Sequence, residues 1–204
     1  MRKWILVVLS IAYCPTVEAQ VAVGLRDNRY GFISYTHQEH WLLKLEHSIY
    51  AEKFSFQKIR LAIGYQHRHD NFIWGVSPYF STLYNVDYQD FGTFINGEYQ
   101  PIKGIALKGV VNPHYDSGYD YTTCFQAGVS VYLYKGMGAE MHYSTIPEYR
   151  ISEKRIRVGL TFSEGNLLVS PLISVPAEGN VKSIRVLCGC SYTCLLYTSP
   201  SPRD

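Results

Sequence analysis

The chain has 204 residues, 47% of them hydrophobic and 15% aromatic, and a formal net charge of +2. One domain is expected at this length, and the near-neutral balance lacks the basic excess that nucleic-acid binding needs. The mean hydropathy of −0.10 excludes a bundle of membrane helices, because each of those needs about 20 consecutive apolar residues.

The N-terminal segment 1–19 has the three parts of a secretory signal peptide. Arg2 and Lys3 precede the apolar run 4–12, and the segment closes on small residues around Glu18. About ten apolar residues are too few to span a bilayer as a helix. We therefore predict cleavage after Ala19. Acylation at Cys14 is the alternative, which the bulky residue before that cysteine disfavours.

After residue 19 the chain divides into about twelve segments in which apolar and polar residues alternate. These segments are 21–26, 30–37, 41–50, 56–67, 72–84, 88–100, 102–112, 122–134, 136–146, 154–162, 166–175 and 181–193. No segment shows helical periodicity. Pro78 falls inside the fifth segment, where its missing amide predicts a bulge or a break in the ladder.

The segment 154–162 shows the alternation most clearly. Its apolar residues share one parity and its charged or small residues share the other; the two sets are Ile156, Val158, Leu160 and Phe162 against Arg155, Arg157, Gly159 and Thr161. Since successive side chains of a strand point to opposite faces, each strand has one apolar and one polar face. Such strands must close into a barrel or pack as a sandwich.

The connections also alternate, with short links after even-numbered segments and longer links after most odd-numbered ones; the link 27–29 is the main exception. In this respect the chain resembles the β-barrel proteins of the Gram-negative outer membrane, which have short periplasmic turns and longer outer loops. The resemblance implies an all-β fold, an antiparallel up-and-down transmembrane barrel of about 12 strands, or alternatively 10. It also implies location in the outer membrane, with membrane lipid and the barrel-assembly machinery as partners.

Under the barrel interpretation, seven cations face the lumen: Lys44, Lys58, Arg60, Lys108, Arg155, Arg157 and Arg185. Acidic residues with the same parity are fewer: Glu46, Glu98 and Glu140. A basic excess in a narrow duct favours the entry of anions. The sequence therefore predicts a structural barrel or a narrow channel that prefers small anionic solutes, similar to the small-lumen channels for acidic oligosaccharides. In the alternative, these cations pair with the three acids and fill the lumen.

Two other functions fit the pattern less well. A secreted soluble β-barrel or sandwich that binds a ligand has the same alternation, with its apolar face turned inward. A hydrolase at the barrel rim would use the loop 113–121, where His114, Asp116 and Asp120 resemble the rim carboxylates and histidine of outer-membrane proteases. Because no other loop carries a matching set, we predict no enzyme and no catalytic residue.

Two histidine motifs are candidate sites. His67 and His69 flank a cationic arginine and lack the further ligands that zinc needs. His47 and Ser48 are adjacent and point to opposite faces, so they cannot act as a pair. We predict no metal site and no cofactor.

The last eleven residues, 194–204, resemble a translated sequencing-library adapter, so we predict a barrel domain of 20–193 followed by an adapter-derived tail. Removing Cys14 with the leader and Cys194 with the tail leaves three cysteines, Cys124, Cys188 and Cys190. Cys188 and Cys190 lie on one face of a strand, a geometry that does not favour a bond between them.

Overall fold

The computed structural model describes residues 18–49, 57–84, 87–118, 120–146, 154–178 and 184–197. In these ranges the chain forms strands, turns and loops. The first six strands are β1 (Glu18–Arg26), β2 (Tyr30–His37), β3 (Trp41–Ser48), β4 (Lys58–His69), β5 (Phe72–Leu83) and β6 (Gln89–Ile102). The other six are β7 (Ile105–Asp116), β8 (Asp120–Tyr134), β9 (Met137–Ser144), β10 (Arg155–Glu164), β11 (Leu167–Pro176) and β12 (Arg185–Tyr197).

The strands form one closed barrel. Each strand pairs antiparallel with the strand before and after it in sequence, and β12 returns to pair with β1, for example at Leu25 opposite Cys190. Closure pairs each of the described strands along both of its edges. The predicted all-β antiparallel barrel is confirmed with the larger of the two strand numbers. No helix within the described ranges is long and apolar enough to cross a membrane.

The apolar side chains point out of the barrel. Leu61, Ile63 and Val158 are 47%, 55% and 51% exposed, whereas Arg155 is 1% exposed. Ile59 and Leu160 have the same outward parity as these aliphatic residues. Outward residues meet across the ladders, as where Val158 lies opposite Ile173. The barrel is therefore apolar on its exterior and polar in its interior.

At one end of the barrel the strands are connected by tight turns, and at the other end by longer links. The tight turns occupy 38–40, 70–71, 103–104, 135–136 and 165–166, between each even-numbered strand and the next. Several use left-handed backbone, for example Lys135 at φ 38° and Gly136 at φ 79°. We call this end the tight-turn rim and the opposite end the long-loop rim. The described parts of two long links are joined there by an ion pair between Lys154 and Glu178 at 2.8 Å, and its hydrogen bond raises the pKa of Lys154.

The strands at the two ends of the chain extend beyond the predicted domain. β1 begins at Glu18, and β12 continues to Tyr197, so that Gln20 lies opposite Leu195. Residues 1–17 and 198–204 lie outside the described ranges. The leader, the cleavage point and the adapter-derived tail remain predictions.

The strand pairing tests two predictions, the disturbance at Pro78 and the long loop 113–121. The ladder between β4 and β5 is interrupted opposite Pro78 and resumes in the same register at Tyr65 and Val76, so the predicted disturbance is a break without a bulge. The predicted long loop 113–121 is wrong: β7 and β8 continue through it, with His114 opposite Thr122 and Asp116 opposite Asp120. The connection is reduced to residues 117–119 because the polar residues on either side pair as strand.

Candidate functional site

The inward charges gather near the long-loop rim. Lys58, Asp90 and Arg157 lie at or near the first residues of even-numbered strands, which begin at that rim, and Glu46 lies near the end of β3, which finishes there. Eight of these side chains form a connected set of ion pairs that we call the ionic chain: Arg157, Asp27, Arg26, Glu46, Lys44, Arg60, Asp90 and Lys58. It joins strands that are distant in sequence.

Glu46 is the centre of the ionic chain. Its carboxylate accepts hydrogen bonds from Arg26 at 3.1 and 3.2 Å, and it lies 2.8 Å from the Lys44 ammonium. The Arg60 guanidinium lies further away, at 3.6 Å. The side chain is 7% exposed. Glu46 is thus a nearly buried carboxylate surrounded by three cations from β1, β3 and β4.

Asp90 is the second acidic member and is held by both cations and hydroxyls. Its carboxylate lies 2.5 Å from Lys58 Nζ and 3.5 Å from Arg60. It also accepts hydrogen bonds from Ser81 at 2.9 Å and from Tyr79 at 3.0 Å. Buried charges are stable only when paired and hydrogen-bonded in this way, so the position of Asp90 is fixed.

Arg60 bridges the two carboxylates while contacting aromatic rings. Its guanidinium carbon lies 4.5 Å from the centre of the Tyr79 ring and 5.5 Å from that of Phe94, and the two rings stack at 4.8 Å. Arg60 Nε is buried and has no hydrogen-bond partner among the described residues. Aromatic contacts of this kind hold an arginine without using its hydrogen-bond donors.

Asp27 connects the ionic chain to β10, which lies three strands from β1 around the barrel. It lies in the turn between β1 and β2 with a left-handed backbone (φ 58°), and Arg157 of β10 donates a hydrogen bond of 2.6 Å to its carboxylate. The turn is anchored to β12, because the Asn28 amide donates to the Cys188 carbonyl at 2.9 Å. A short, anchored turn therefore places a carboxylate inside the barrel.

The other inward charges lie outside the ionic chain. Lys108 is 3.9 Å from Glu98, and His142 is 3.2 Å from Glu140. The Arg155 guanidinium donates to Ser174 Oγ at 2.7 Å and to its carbonyl at 2.9 Å. Because Arg155 is almost fully buried, its guanidinium does not face open solvent in this conformation.

All seven predicted lumen cations have inward parity in the registers of their strands. Four of them, Lys44, Lys58, Arg60 and Arg157, belong to the ionic chain; the other three are Lys108, Arg155 and Arg185. Arg185 is half-buried opposite Ser174. Their role in passing anions remains a prediction.

Sequence reasoning missed three members of the ionic chain: Arg26, Asp27 and Asp90. Arg26 has inward parity in the first predicted segment and was identifiable from alternation. Asp27 lies in a turn, and the alternation of residues along a strand does not predict the direction of a turn side chain. Asp90 lies in β6, where alternation is obscured because Phe91 faces outward and Phe94 faces inward against Tyr79.

Toward the tight-turn rim, the inward positions carry mainly small or uncharged residues. They include Ser34, Thr36, Gly64, Gly75, Ser130, Gly138, Thr161 and Ser170. At some glycines a neighbouring side chain lies directly over the backbone, as His142 does at Gly128, where a Cβ would collide with the imidazole. Such side chains lie along the wall. The interior thus carries the ionic chain toward the long-loop rim and mainly small or uncharged side chains toward the tight-turn rim, apart from charged pairs such as Glu98 and Lys108.

The residues proposed for a rim hydrolase do not form a catalytic set. The His114 ring is buried, with Nδ1 3.2 Å from the Asn112 carbonyl oxygen. The Asp116 carboxylate accepts hydrogen bonds from the Tyr88 hydroxyl and, at 2.8 Å, from the Gly118 amide. Asp120 pairs with Asp116 only as backbone across the ladder. The His114 ring and the Asp116 carboxylate are thus both engaged in contacts with neighbouring strand and turn residues.

The histidine motifs are also separated. His67 stacks on His40 at a ring distance of 5.9 Å and has the tilted ring of Trp74 at 6.1 Å, whereas the side chain of His69 is 77% exposed beside Asp70. Among the described residues no cluster of three or more His, Cys, Asp or Glu is arranged to hold a metal. His47 contacts Tyr84, while Ser48 is buried and accepts the Lys58 amide at 2.7 Å.

Several solved structures share this barrel fold. The KdgM porin in complex with disordered oligogalacturonate aligns with 86% of this chain and 98% of its own, with a TM-score of 0.61 and 10% identity. Another KdgM porin structure gives a TM-score of 0.57 at 12% identity over 86% of this chain and 98% of its own. A structure from work on in-meso crystallization of membrane proteins gives 0.60 at 13% identity, covering 87% of this chain and 83% of its own.

No protein-family model and no curated protein sequence matches the chain. At identities of 10–13% these structural similarities establish the fold.

Proposed function

We propose that this chain is an outer-membrane channel whose charged mouth favours small anionic solutes. The observation that carries the proposal is the ionic chain, which lines the interior of a barrel with an apolar exterior. Five cations and three carboxylates make up this set, so the ionic chain carries a net charge of +2. A surplus of positive charge between low-dielectric walls attracts anions.

The exterior supports residence in a membrane. Outward aliphatic residues such as Ile63, Val158 and Ile173 are at least half exposed, and water would not accommodate a continuous apolar surface of this size in a monomer. Aromatic residues lie toward both ends of the outward face, with Trp41 and Trp74 near the tight-turn rim and Tyr121 near the other. Aromatic girdles of this kind mark the interfaces of membrane barrels.

The sorting of the connections supports an orientation. Outer-membrane barrels place short turns on the periplasmic side and longer loops outside, so the long-loop rim and its ionic chain would face the exterior of the cell. The partners would be membrane lipid and the barrel-assembly machinery. A secreted soluble binder would need its apolar residues inside, and we assign no catalytic residue.

The structural relatives suggest the kind of solute. Oligogalacturonate, present in one KdgM porin structure, is a carboxylated sugar oligomer, and arginine and lysine bind carboxylates through charge-assisted hydrogen bonds. The arginines and lysines of the ionic chain offer such contacts. Small anions and carboxylated sugars are the proposed solutes.

The test is single-channel recording. Purified protein refolded in detergent is inserted into a planar bilayer, and the reversal potential is measured across a KCl gradient. We expect a potential that indicates preference for chloride over potassium. The preference should fall in Arg60→Gln and stay unchanged in Lys103→Gln, which removes an exposed cation from the turn at the tight-turn rim.

Two results would contradict this function. A protein that is monomeric and soluble without detergent is not a membrane barrel. A barrel that inserts but shows no conductance, or prefers cations, is not an anion channel.

A further inference from the structure

Arg60 lies between two carboxylates but is too far from either to make a short hydrogen bond. Its terminal nitrogens lie 3.6 Å from Glu46 and 3.5 Å from Asp90, and its buried Nε has no hydrogen-bond partner in the described part of the chain. A guanidinium paired well with a carboxylate makes two parallel hydrogen bonds near 2.8 Å. Arg60 is therefore held in place by two rings and two distant carboxylates, with its donors poorly used.

Glu46 has more cationic partners than its carboxylate holds at hydrogen-bonding distance. One carboxylate serves Arg26, Lys44 and Arg60 together, and it meets two of them at hydrogen-bonding distance and the third at 3.6 Å. The three cations come from β1, β3 and β4 and surround one point inside the barrel. A carboxylate already bound at that point is chemically equivalent to the acid group of a solute.

We propose that Glu46 is a resident ligand of an anion site formed by Arg26, Lys44 and Arg60. An acidic solute enters this site by exchanging for the Glu46 carboxylate, and Glu46 returns when the solute moves on. The exchange keeps the cations paired throughout, and the displaced Glu46 carboxylate turns into the aqueous lumen, because a bare charge left buried would be costly. This inference rests on the proposed channel function and adds how the site is regulated.

The exposure of the cations supports access from the lumen. The side chains of Arg26, Lys44 and Arg60 are 39%, 27% and 20% exposed, whereas that of Glu46 is 7% exposed. The carboxylate lies behind its cations as seen from the solvent. A solute therefore meets the cations first and competes for them with Glu46.

The experiment compares Glu46→Gln with Glu98→Gln. Both changes remove one inward carboxylate, but Glu98 lies outside the ionic chain, 3.9 Å from Lys108. The probe is glucuronate, with glucose as the uncharged control, and the readout is the concentration that halves the KCl current of the inserted channel. Glutamine keeps the size of the side chain and removes the competing charge.

We expect Glu46→Gln to lower the half-blocking glucuronate concentration roughly tenfold, the effect of losing one competing charge at hydrogen-bonding distance. Glu98→Gln should change it less than about twofold, since a partly exposed pair contributes little. Glucose should be unaffected in both. Equal effects of the two variants, or no effect of either, would overturn the proposal.

A second variant covers the case in which Glu46→Gln does not assemble. Glu46→Asp keeps the charge but withdraws it from the cations by one methylene, so the half-blocking concentration should fall by an intermediate factor. If neither variant assembles, Glu46 is required for folding and the exchange model is wrong. A wild-type barrel that does not conduct would reject the channel function itself, which is a separate outcome.

Discussion

Asp27 and Arg157 are joined by a 2.6 Å hydrogen bond across the mouth of the barrel, although 130 residues separate them in sequence. Asp27 belongs to the turn after β1 and Arg157 to β10, so the bond spans the two intervening strands β11 and β12. Both side chains are largely buried. The pair therefore connects the first hairpin to a strand near the end of the chain.

Replacing Asp27 with asparagine should destabilise the barrel by about 1 kcal/mol, because asparagine still offers Oδ1 to Arg157 but turns a buried charge-assisted hydrogen bond into one with a neutral acceptor. Asparagine tolerates the left-handed backbone of this turn, so the change tests the charge and leaves the turn intact. Urea unfolding in detergent gives the measurement. Glu39→Gln, in the exposed turn between β2 and β3, is the control, and equal midpoints for the two variants would contradict the role of the pair.

An arginine introduced on the outward face should reduce assembly of the folded barrel, whereas one introduced on the inward face should be tolerated. Leu160→Arg places a guanidinium on the exterior of β10, while Thr161→Arg places one on the interior at nearly the same height. Burying arginine in lipid near the bilayer centre costs about 2–4 kcal/mol. We expect Leu160→Arg to reduce the folded, heat-modifiable band on semi-native gels. Thr161→Arg should assemble, and the reverse order would mean that the faces are exchanged.

The glycines of two tight turns provide a matched pair. Gly136 and Gly165 both have positive φ, at 79° and 56°, but a Cβ at Gly136 would collide with the Ser163 backbone, whereas a Cβ at Gly165 would meet open space. Alanine at either position carries a left-handed strain of about 1–2 kcal/mol. Gly136→Ala should be the more destabilised in urea unfolding. Equal losses would show that the collision is relieved by a backbone shift.

Tryptophan fluorescence can report where the exterior meets lipid. Without the predicted leader 1–19 the chain has two tryptophans, Trp41 and Trp74, and both are outward and contact Tyr65 near the tight-turn rim. In vesicles of brominated phospholipid their emission should be quenched, because interfacial aromatic residues lie at the edge of the hydrocarbon. Aqueous iodide should quench them weakly. Strong quenching by iodide alone would place this rim outside the membrane.

Much of the barrel was predictable because a strand repeats every two residues. The parity of Ile156 and Val158 against Arg155 and Arg157 was sufficient to separate the two faces, and the structure places those four side chains accordingly. Which face was outside needed other signals, since alternation is the same in a barrel and in a sandwich. The sorting of the connections provided that signal.

Pairing across the barrel was not predictable, because it depends on register between strands. The polar run around His114 has the composition of a loop, yet it continues β7 because Thr122 and its neighbours on β8 lie opposite. The Asp27–Arg157 bond depends on barrel closure, which no local pattern encodes. The charged residues were identified, but their partners required the three-dimensional structure.

Closure through β1 and β12 has a kinetic consequence. The two strands that complete the cylinder lie at opposite ends of the described sequence, so the first strand keeps an open edge until the last has been delivered. Contacts between such distant segments form slowly. A proposed outer-membrane chain that has not yet closed would have two unpaired strand edges while it is in the periplasm. We therefore expect binding by chaperones to limit the rate at which this protein folds.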